Sequence, residues 1–412
     1  MITPTSAPPP RQTWTAHRQS AVALLAAERA AGTSLGWQYL GGSAMLGARF
    51  RATGALRRVQ LLLAVVAIPL AFWFGRIIGF SLVASIALAM GEVNIFAKAI
   101  MYRGQFMADD NALFMFIRGL PTEAQRVDAV AFGNEFKLVP SLLGPMLFVA
   151  TPGFMALGGS MMGLMVVTFT SERELAGYEI AVCVAAVLSL LGQGANPLNM
   201  VRFTWFFVSS GQALARSIRE NRIWDDLEEV DGDEEKGTAN AKVDFAAAFT
   251  NYRIMKETLA GFTQSFQLFY FVAEFTLILC WIVAAFACFE QMQLYVAAPS
   301  TTALLMMLTV SGMVLASGSL IWGLACLAAE ITDAAFDIHV QAHDLCARVA
   351  VQAPEQYQEA KQFYKHLEKQ SHTIGFGFAG IVIKSGLIAR ICYGMLSAGF
   401  TVATLSLELY GK

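Results

Sequence analysis

Seven apolar runs dominate this chain, at about 59–75, 77–97, 139–170, 176–208, 262–289, 301–328 and 376–409. A helix needs about 20 apolar residues to cross the hydrocarbon layer, and several of the runs exceed that. A soluble protein of 412 residues could bury a large core without uninterrupted apolar runs of this length. With 56% hydrophobic and 15% charged residues, the chain reads as an integral membrane protein whose first partner is the lipid bilayer. No long β-alternating stretch exists, which excludes a membrane barrel. A net charge of −2 gives no footprint for nucleic acid, so none is expected as a partner.

Lys and Arg fix the orientation. With the N-terminus in the cytoplasm, the N-terminal segment carries seven basic residues, the second-to-third loop four from Arg103 to Lys137, the fourth-to-fifth connection seven and the sixth-to-seventh four. The opposite side receives only Arg76, Arg173 and Lys412. Basic loops stay inside. The expected topology is therefore N-terminus inside and C-terminus outside, opposite to that of a G-protein-coupled receptor. The first hairpin is the critical step. As a single helix, 59–97 would be roughly 58 Å long, about twice the hydrocarbon core. A single crossing there would also put the basic loops at 103–137, 216–256 and 337–372 on the wrong side. A turn near Gly75–Gly79 is predicted instead.

The expected fold class is all-α: a polytopic membrane protein of seven transmembrane helices with cytoplasmic helical extensions forming an anchor. The division runs 1–58, cytoplasmic N-terminal helical segment; 59–208, helices one to four; 209–261, cytoplasmic connection; 262–328, helices five and six; 329–390, anchor; and 391–412, the last half-helix. Helical stretches are expected inside at 105–137, 209–223, 243–261 and 331–370, the last turning at Pro354. Within the connection, 225–235 holds eight acids in eleven residues, and 225–236 reads as a self-repelling, disordered loop.

Catalytic signatures are missing: there is no GxSxG, HExxH or phosphate-binding glycine loop, and no enzymatic activity is expected. The six cysteines show no metal spacing, and none falls in a predicted outer loop. His339 and His343 stand one turn apart with Asp333 and Asp337, but a solvated helical face accounts for them. No cofactor or metal is expected.

The last run carries the one usable pattern. Ser397, Thr401, Thr404 and Glu408 are spaced 4, 3 and 4, which lines them up on one helical stripe. Leu396, Phe400, Ala403 and Leu407 form an apolar stripe beside it. Copies of this helix around an axis would make a hydroxyl-lined pore with Glu408 at its outer mouth, and Leu396 and Phe400 would be candidate gates. Alternatively, the hydroxyls bond back to their own helix or join two helices, and Glu408 lies at the interface.

The stretch from Phe376 to Lys384 (Phe-Gly-Phe-Ala-Gly-Ile-Val-Ile-Lys), followed by a closing apolar helix, resembles the end of the insect gustatory and odorant receptor superfamily and its gustatory-receptor-like relatives in protists, algae and plants. In that family a Phe-x-x-x-Gly segment precedes a two-part seventh helix whose second half lines the pore. The family's late Thr-Tyr and Gln-Phe pairs correspond here to Gly399–Phe400 and Glu408–Leu409, with one extra residue between them. The resemblance implies a homotetrameric cation channel, constitutive or opened by a small-molecule ligand, joined through an inner anchor at 209–223, 243–261 and 331–390. It implies residence in a membrane facing the outside, the plasma membrane.

A ligand pocket would lie in the outer half of the middle spans. Met162, Phe169, Tyr178, Glu179, Trp281 and Met306 are the candidates, the methionines and aromatics for apolar contact and Glu179 for orientation. Ordinary packing is the competing reading. A secondary transporter also stays open, because Gly192–Pro197 interrupts the fourth run, although a kink at Pro197 explains it. So does a membrane scaffold without transport.

Overall fold

The computed structural model describes residues 13–16, 19, 54–106, 143–170, 176–192, 207–208, 211–212, 214–224, 243–370, 373–378, 381–387, 390, 393–394, 397, 399, 401 and 404. Six long helices fall on the first six apolar runs: α1 (Gly54–Ile77), α2 (Leu82–Phe106), α3 (Leu143–Thr170), α4 (Gly177–Gly192), α5 (Phe245–Ala297) and α6 (Thr301–Gln352). A shorter helix, α7 (Tyr357–Gln370), follows. Residues from Ser385 to Thr404 are helical wherever they are described. The fold is thus helical, with one exception. The seventh run was expected to begin as helix at 376. Instead, strands β1 (Gly377–Phe378) and β2 (Ile381–Val382) pair antiparallel there. The Gly-rich sequence favours a tight turn over a helical start.

Among the described residues, three helices are long and apolar enough to cross a membrane: Thr151–Thr170, Phe266–Ala297 and Thr301–Gln352. Shorter apolar helical stretches run Leu62–Ile77, Leu82–Ala97 and Gly177–Ala186. Many large apolar side chains on these helices face outward, among them Leu62, Trp73, Phe154, Met155, Val166, Leu188, Phe275, Leu315 and Trp322. Outward-facing side chains of this kind suit lipid as solvent.

Local chemistry sets the ends of the helices. The first hairpin turns where expected. Gly79 has φ +96°, Phe80 N–H donates to the Gly75 carbonyl (2.9 Å) and Gly79 N–H to Arg76 (3.3 Å). This is the paired-bond C-cap that glycine favours. Arg76 closes it by donating to the Phe80 carbonyl (2.8 Å), and Ser81 caps α2 by accepting from Ala84 N–H (3.1 Å). Asp244 caps α5 through Ala247 N–H (2.9 Å), and Ser300 caps α6 through Ala303 N–H (3.1 Å). Pro354 opens a single 3-10 turn between α6 and α7, where the sequence predicted a break.

α5 and α6 have 53 and 52 residues, so each is roughly 80 Å long and extends roughly 50 Å beyond a hydrocarbon core. Two cores form along them, called outer and inner after the orientation expected from the basic residues. The outer core joins α1, α2, α3, α4, α5 and α6 around Phe74, Phe80, Leu164, Cys183, Ala284, Met306 and Val310. The inner core joins α5, α6, α7 and segment 214–224 around Phe207, Leu259, Phe262, Leu327, Ile331, Phe363 and Phe376. Trp14 is buried in this inner core. Thr15 donates to Asn251 Oδ1 from both N–H (3.1 Å) and Oγ (2.7 Å), while Asn251 Nδ2 donates to the Ile223 carbonyl (3.1 Å). Gln356 makes a similar clasp, accepting from Val243 N–H (3.0 Å) and donating to its carbonyl (3.1 Å). The acidic block 225–236 and the expected helix at 105–137 lie outside the described residues, apart from the end of α2.

Across the outer half, α3 and α6 meet backbone to backbone. A Cβ added at Gly312 would stand 2.6 Å from the Gly153 carbonyl oxygen and 2.8 Å from Leu157 N. One turn outward from there, Ser160 and Thr309 join their hydroxyls across the same pair (2.8 Å). Small residues and hydroxyl bridges are how helices associate where lipid removes the hydrophobic drive.

Candidate functional site

The last helix starts from a rigid footing. Gly375 has φ +143°, and a Cβ there would lie 2.6 Å from Val382 Cγ1 and 2.7 Å from Thr332 Cγ2, so only glycine fits. Phe376 N–H donates to Thr332 Oγ1 on α6 (3.0 Å). The Phe376 ring is fully buried among Phe207, Phe262 and Tyr270, at centroid distances of 5.8, 5.6 and 5.2 Å. Lys384 then lays its ammonium over the Phe336 ring, 5.0 Å from the centroid.

From this footing the helix presents Arg390, Tyr393, Gly394, Ser397, Thr401 and Thr404, all exposed in the single chain. The steps of 3, 1, 3, 4 and 3 keep them on one side. Three of the four expected pore-lining positions therefore share an uncovered face. Thr401 also donates its hydroxyl proton to the Ser397 carbonyl (2.9 Å), the back-bond that the sequence left as an alternative. Glu408 and the candidate gates Leu396 and Phe400 lie outside the described residues.

The six pocket candidates do not converge. Met162 and Tyr178 are each 70% exposed, and Phe169 also points outward from the single chain. Glu179 is buried, but its Oε2 accepts from Ala176 N–H (2.9 Å) and so caps its own helix α4. The Trp281 indole lies over Gly318, whose Cβ would come 3.2 Å from Nε1. Met306 is buried under the first turn, with its Cε 3.0 Å from where a Cβ at Gly79 would be.

One buried polar residue was not singled out from the sequence. Gln291 falls between the fifth and sixth apolar runs, where the sequence predicts a connection, but α5 runs on to Ala297 and leaves it only 1% exposed. The signal was faint: one of two amides, with Gln293, at the edge of an apolar run, continuing the steps of 4, 3 and 4 from Cys280 through Ala284 and Ala287. Its neighbour Glu290 accepts a hydrogen bond from Ser81 Oγ (2.5 Å), and Cys288 Sγ contacts Ser311 Oγ (3.2 Å).

On the inner side, His339 and His343 share no site. His339 is buried and donates from Nε2 to the Leu367 carbonyl of α7 (2.8 Å), whereas His343 is exposed beside Asp344. Burial pushes His339 below its ordinary value, and the Leu367 carbonyl partly offsets this. Burial also pushes the neighbouring Tyr252 up to about 12. Among the described residues no three His, Cys, Asp or Glu side chains gather as a metal site would need.

No family model matches the chain, and no curated protein does. Among solved structures, the insect olfactory receptor OR5 from Machilis hrabei is similar to it, with 13% identity over 84% of this chain and 88% of that one and a TM-score of 0.44.

Proposed function

We propose that the chain is a subunit of a cation channel, a homotetramer gated by a small molecule or constitutively open, with a central pore lined by its last helix. The polar face of that helix carries the reading. Ser397, Thr401 and Thr404 stand uncovered on a helix otherwise built for the membrane, and a hydroxyl face is poorly placed against lipid tails. Water and neighbouring copies would cover it. Thr401 satisfies its donor within the helix and keeps acceptor lone pairs on the exposed side, which suits passing cations.

Two further observations support the assembly and the topology. On the inner part of α6, Phe336, Val340 and Val351 are exposed on one face together with His343 and Asp344, a mixed surface that would be buried against a second copy. The hydrogen bonds from Thr15 to Asn251 support a reading in which the N-terminal segment and the fourth-to-fifth connection share a side, in keeping with the twenty-two basic residues assigned inside.

The test is electrical. Reconstituted wild-type protein is expected to pass cations. Glu408→Gln should lower cation conductance with assembly intact, because it removes four crowded charges at the mouth. Leu396→Ser or Phe400→Ser should raise basal current by wetting a hydrophobic constriction. No current from either gate variant, together with no effect of Glu408→Gln, would replace the channel with a transporter or a scaffold.

A further inference from the structure

We propose that His339 is an acid-released latch on the base of the last helix: with one ring proton it supports the seat on which Lys384 rests, and a second proton, taken up on Nδ1, frees Lys384 from that seat. As a control on a pore this rests on the channel reading; as a conformational latch it stands without it.

Three contacts run in line from α7 to the last helix. His339 Nε2 donates to the Leu367 carbonyl in the last turn of α7 (2.8 Å). Phe336 stacks on the imidazole, with ring centroids 5.9 Å apart and planes inclined by 28°. The Lys384 ammonium sits 5.0 Å from the centroid of the same Phe336 ring. Lys384 stands at the start of the last helix, its carbonyl accepting from Leu387 N–H (2.9 Å). The charge on the imidazole is therefore relayed to that helix through one aromatic ring.

A carbonyl can only accept, so the bond to Leu367 fixes the proton of the neutral ring on Nε2. Nδ1 is left buried and without a hydrogen-bond partner, and an added proton goes there. Burial opposes the resulting cation most strongly, and the Lys384 ammonium opposes it too. The carbonyls of Leu367, Ala335 and Phe336 favour it, as does the C-terminal end of α7, so α7 stays pinned. What relieves the burial is water. Phe336 lies against the imidazole yet is 41% exposed, so its displacement hydrates the imidazolium. The same movement takes the aromatic face from under Lys384.

The other titratable groups on the packed elements are neutral or solvated. Tyr252 of α5 lies edge-on to the ring at 6.4 Å, and burial, which pushes it up to about 12, keeps it uncharged. Arg253, Lys256 and Glu257 of the same helix are exposed, as are Lys365, His366, Glu368 and Lys369 of α7. On α6 itself Asp337 and His343 are exposed and Asp333 is half-buried. The rest of the footing carries nothing that acid changes in this range: Gly375 makes the turn, and Phe376 N–H bonds to the Thr332 hydroxyl.

The test uses the full-length protein in lipid nanodiscs. Its amines are labelled briefly with N-acetoxysuccinimide at pH 7.5 and 5.5. Lys384 is read by mass spectrometry against the exposed Lys256 of the same digest, which cancels the effect of pH on amine reactivity. The ratio is expected to rise about 3- to 10-fold on acidification, the ceiling being set by a released ring that titrates near 6.5, one unit above the lower pH. His339→Gln keeps a donor for Leu367 but cannot take the proton, and should hold the ratio at its pH 7.5 value. Phe336→Leu should hold it high at both pH values; this side chain is partly exposed, so the variant serves if the buried substitution misfolds. His366→Gln should leave the rise intact. A ratio indifferent to pH in wild type would overturn the latch. So would a rise that persists in His339→Gln or Phe336→Leu, or one that vanishes in His366→Gln. Phe336 also lies on the face proposed to meet a second copy, so particle mass is measured at both pH values. A rise seen only as the assembly falls apart would overturn the latch as well, by assigning it to subunit separation. Currents from the same preparations separate the two ideas. His339-dependent labelling without current removes the channel and leaves the latch; current with labelling indifferent to acid does the reverse.

Discussion

Substituting Gly312 by alanine tests the α3–α6 contact most directly. The new Cβ would sit 2.6 Å from the Gly153 carbonyl oxygen and 2.8 Å from Leu157 N, both main-chain atoms inside a helix. No side-chain rotation can relieve it. Restoring an ordinary contact of roughly 3.4 Å requires the helices to part by about 0.8 Å, and such a gap forfeits a quarter to a half of each dispersion well. With roughly 30 atom pairs at 0.1–0.2 kcal/mol each across the crossing, the loss is about 1–3 kcal/mol, in the range measured for overpacked cores. The same separation stretches the Ser160–Thr309 bond, now 2.8 Å, which pushes the cost toward the upper end. Thermal unfolding of purified protein, followed by tryptophan fluorescence, would read the change. Gly318→Ala should cost less, because its Cβ meets only the Trp281 side chain at 3.2 Å, and Gly158→Ala should be near neutral, since nothing lies within 4 Å. A Gly312→Ala protein that melts at or above wild type, or three variants with equal melting points, would refute the reasoning.

A protease site placed at Gly237 should be cut only from the cytoplasmic face, and cleavage from outside would sink the basic-residue argument. Asn251→Ala removes the acceptor of both Thr15 bonds and the donor to Ile223, and should cost about 1–3 kcal/mol; protease sensitivity near Trp14 rising ahead of global melting would report it. For His339 the direction is set by burial, which holds its native pKa below that of the unfolded chain, near 6.5. The unfolded state then binds the proton first, so stability is steady above about pH 6.5 and falls below it, by at most about 1.4 kcal/mol per pH unit. Melting curves from pH 7.5 to 5.5 should show this fall, and His339→Gln should flatten it; an unchanged slope would assign the acid sensitivity to another group.

The long-range layout was legible because it depends on sums over many residues. The turn at Gly75–Gly79, the continuation of α6 past 328 and the break at Pro354 each followed from periodicity or from one residue with a fixed backbone requirement. What escaped notice depends on single contacts between distant segments. The sequence treated Glu179 as a ligand-orienting acid because it stands near the outer end of a span. The structure gives it a local duty, the cap of α4, which a Glu three residues after Ala176 could have signalled. Met162 and Tyr178 were grouped by depth in the membrane, but depth alone says nothing about which way a helix is rotated, and both point outward. The hairpin at 377–382 hid inside an apolar run because hydropathy does not separate a two-residue strand from the start of a helix. Gln291 was misplaced for a related reason: one charged neighbour, Glu290, marked the end of a span that α5 passes by eight residues.

The two amide clasps have a practical consequence. Asn251 holds the main chain at Ile223, and Gln356 holds it at Val243, so both borders of the stretch 225–242 are fixed by buried bonds that owe nothing to the stretch itself. Neither clasp depends on its length. Doubling the length of a chain segment closed between fixed ends costs in general only about 0.6 kcal/mol in closure entropy. A fluorescent domain spliced between these borders would ride on the inner bundle without loading it, making this stretch the natural mounting point for an optical reporter.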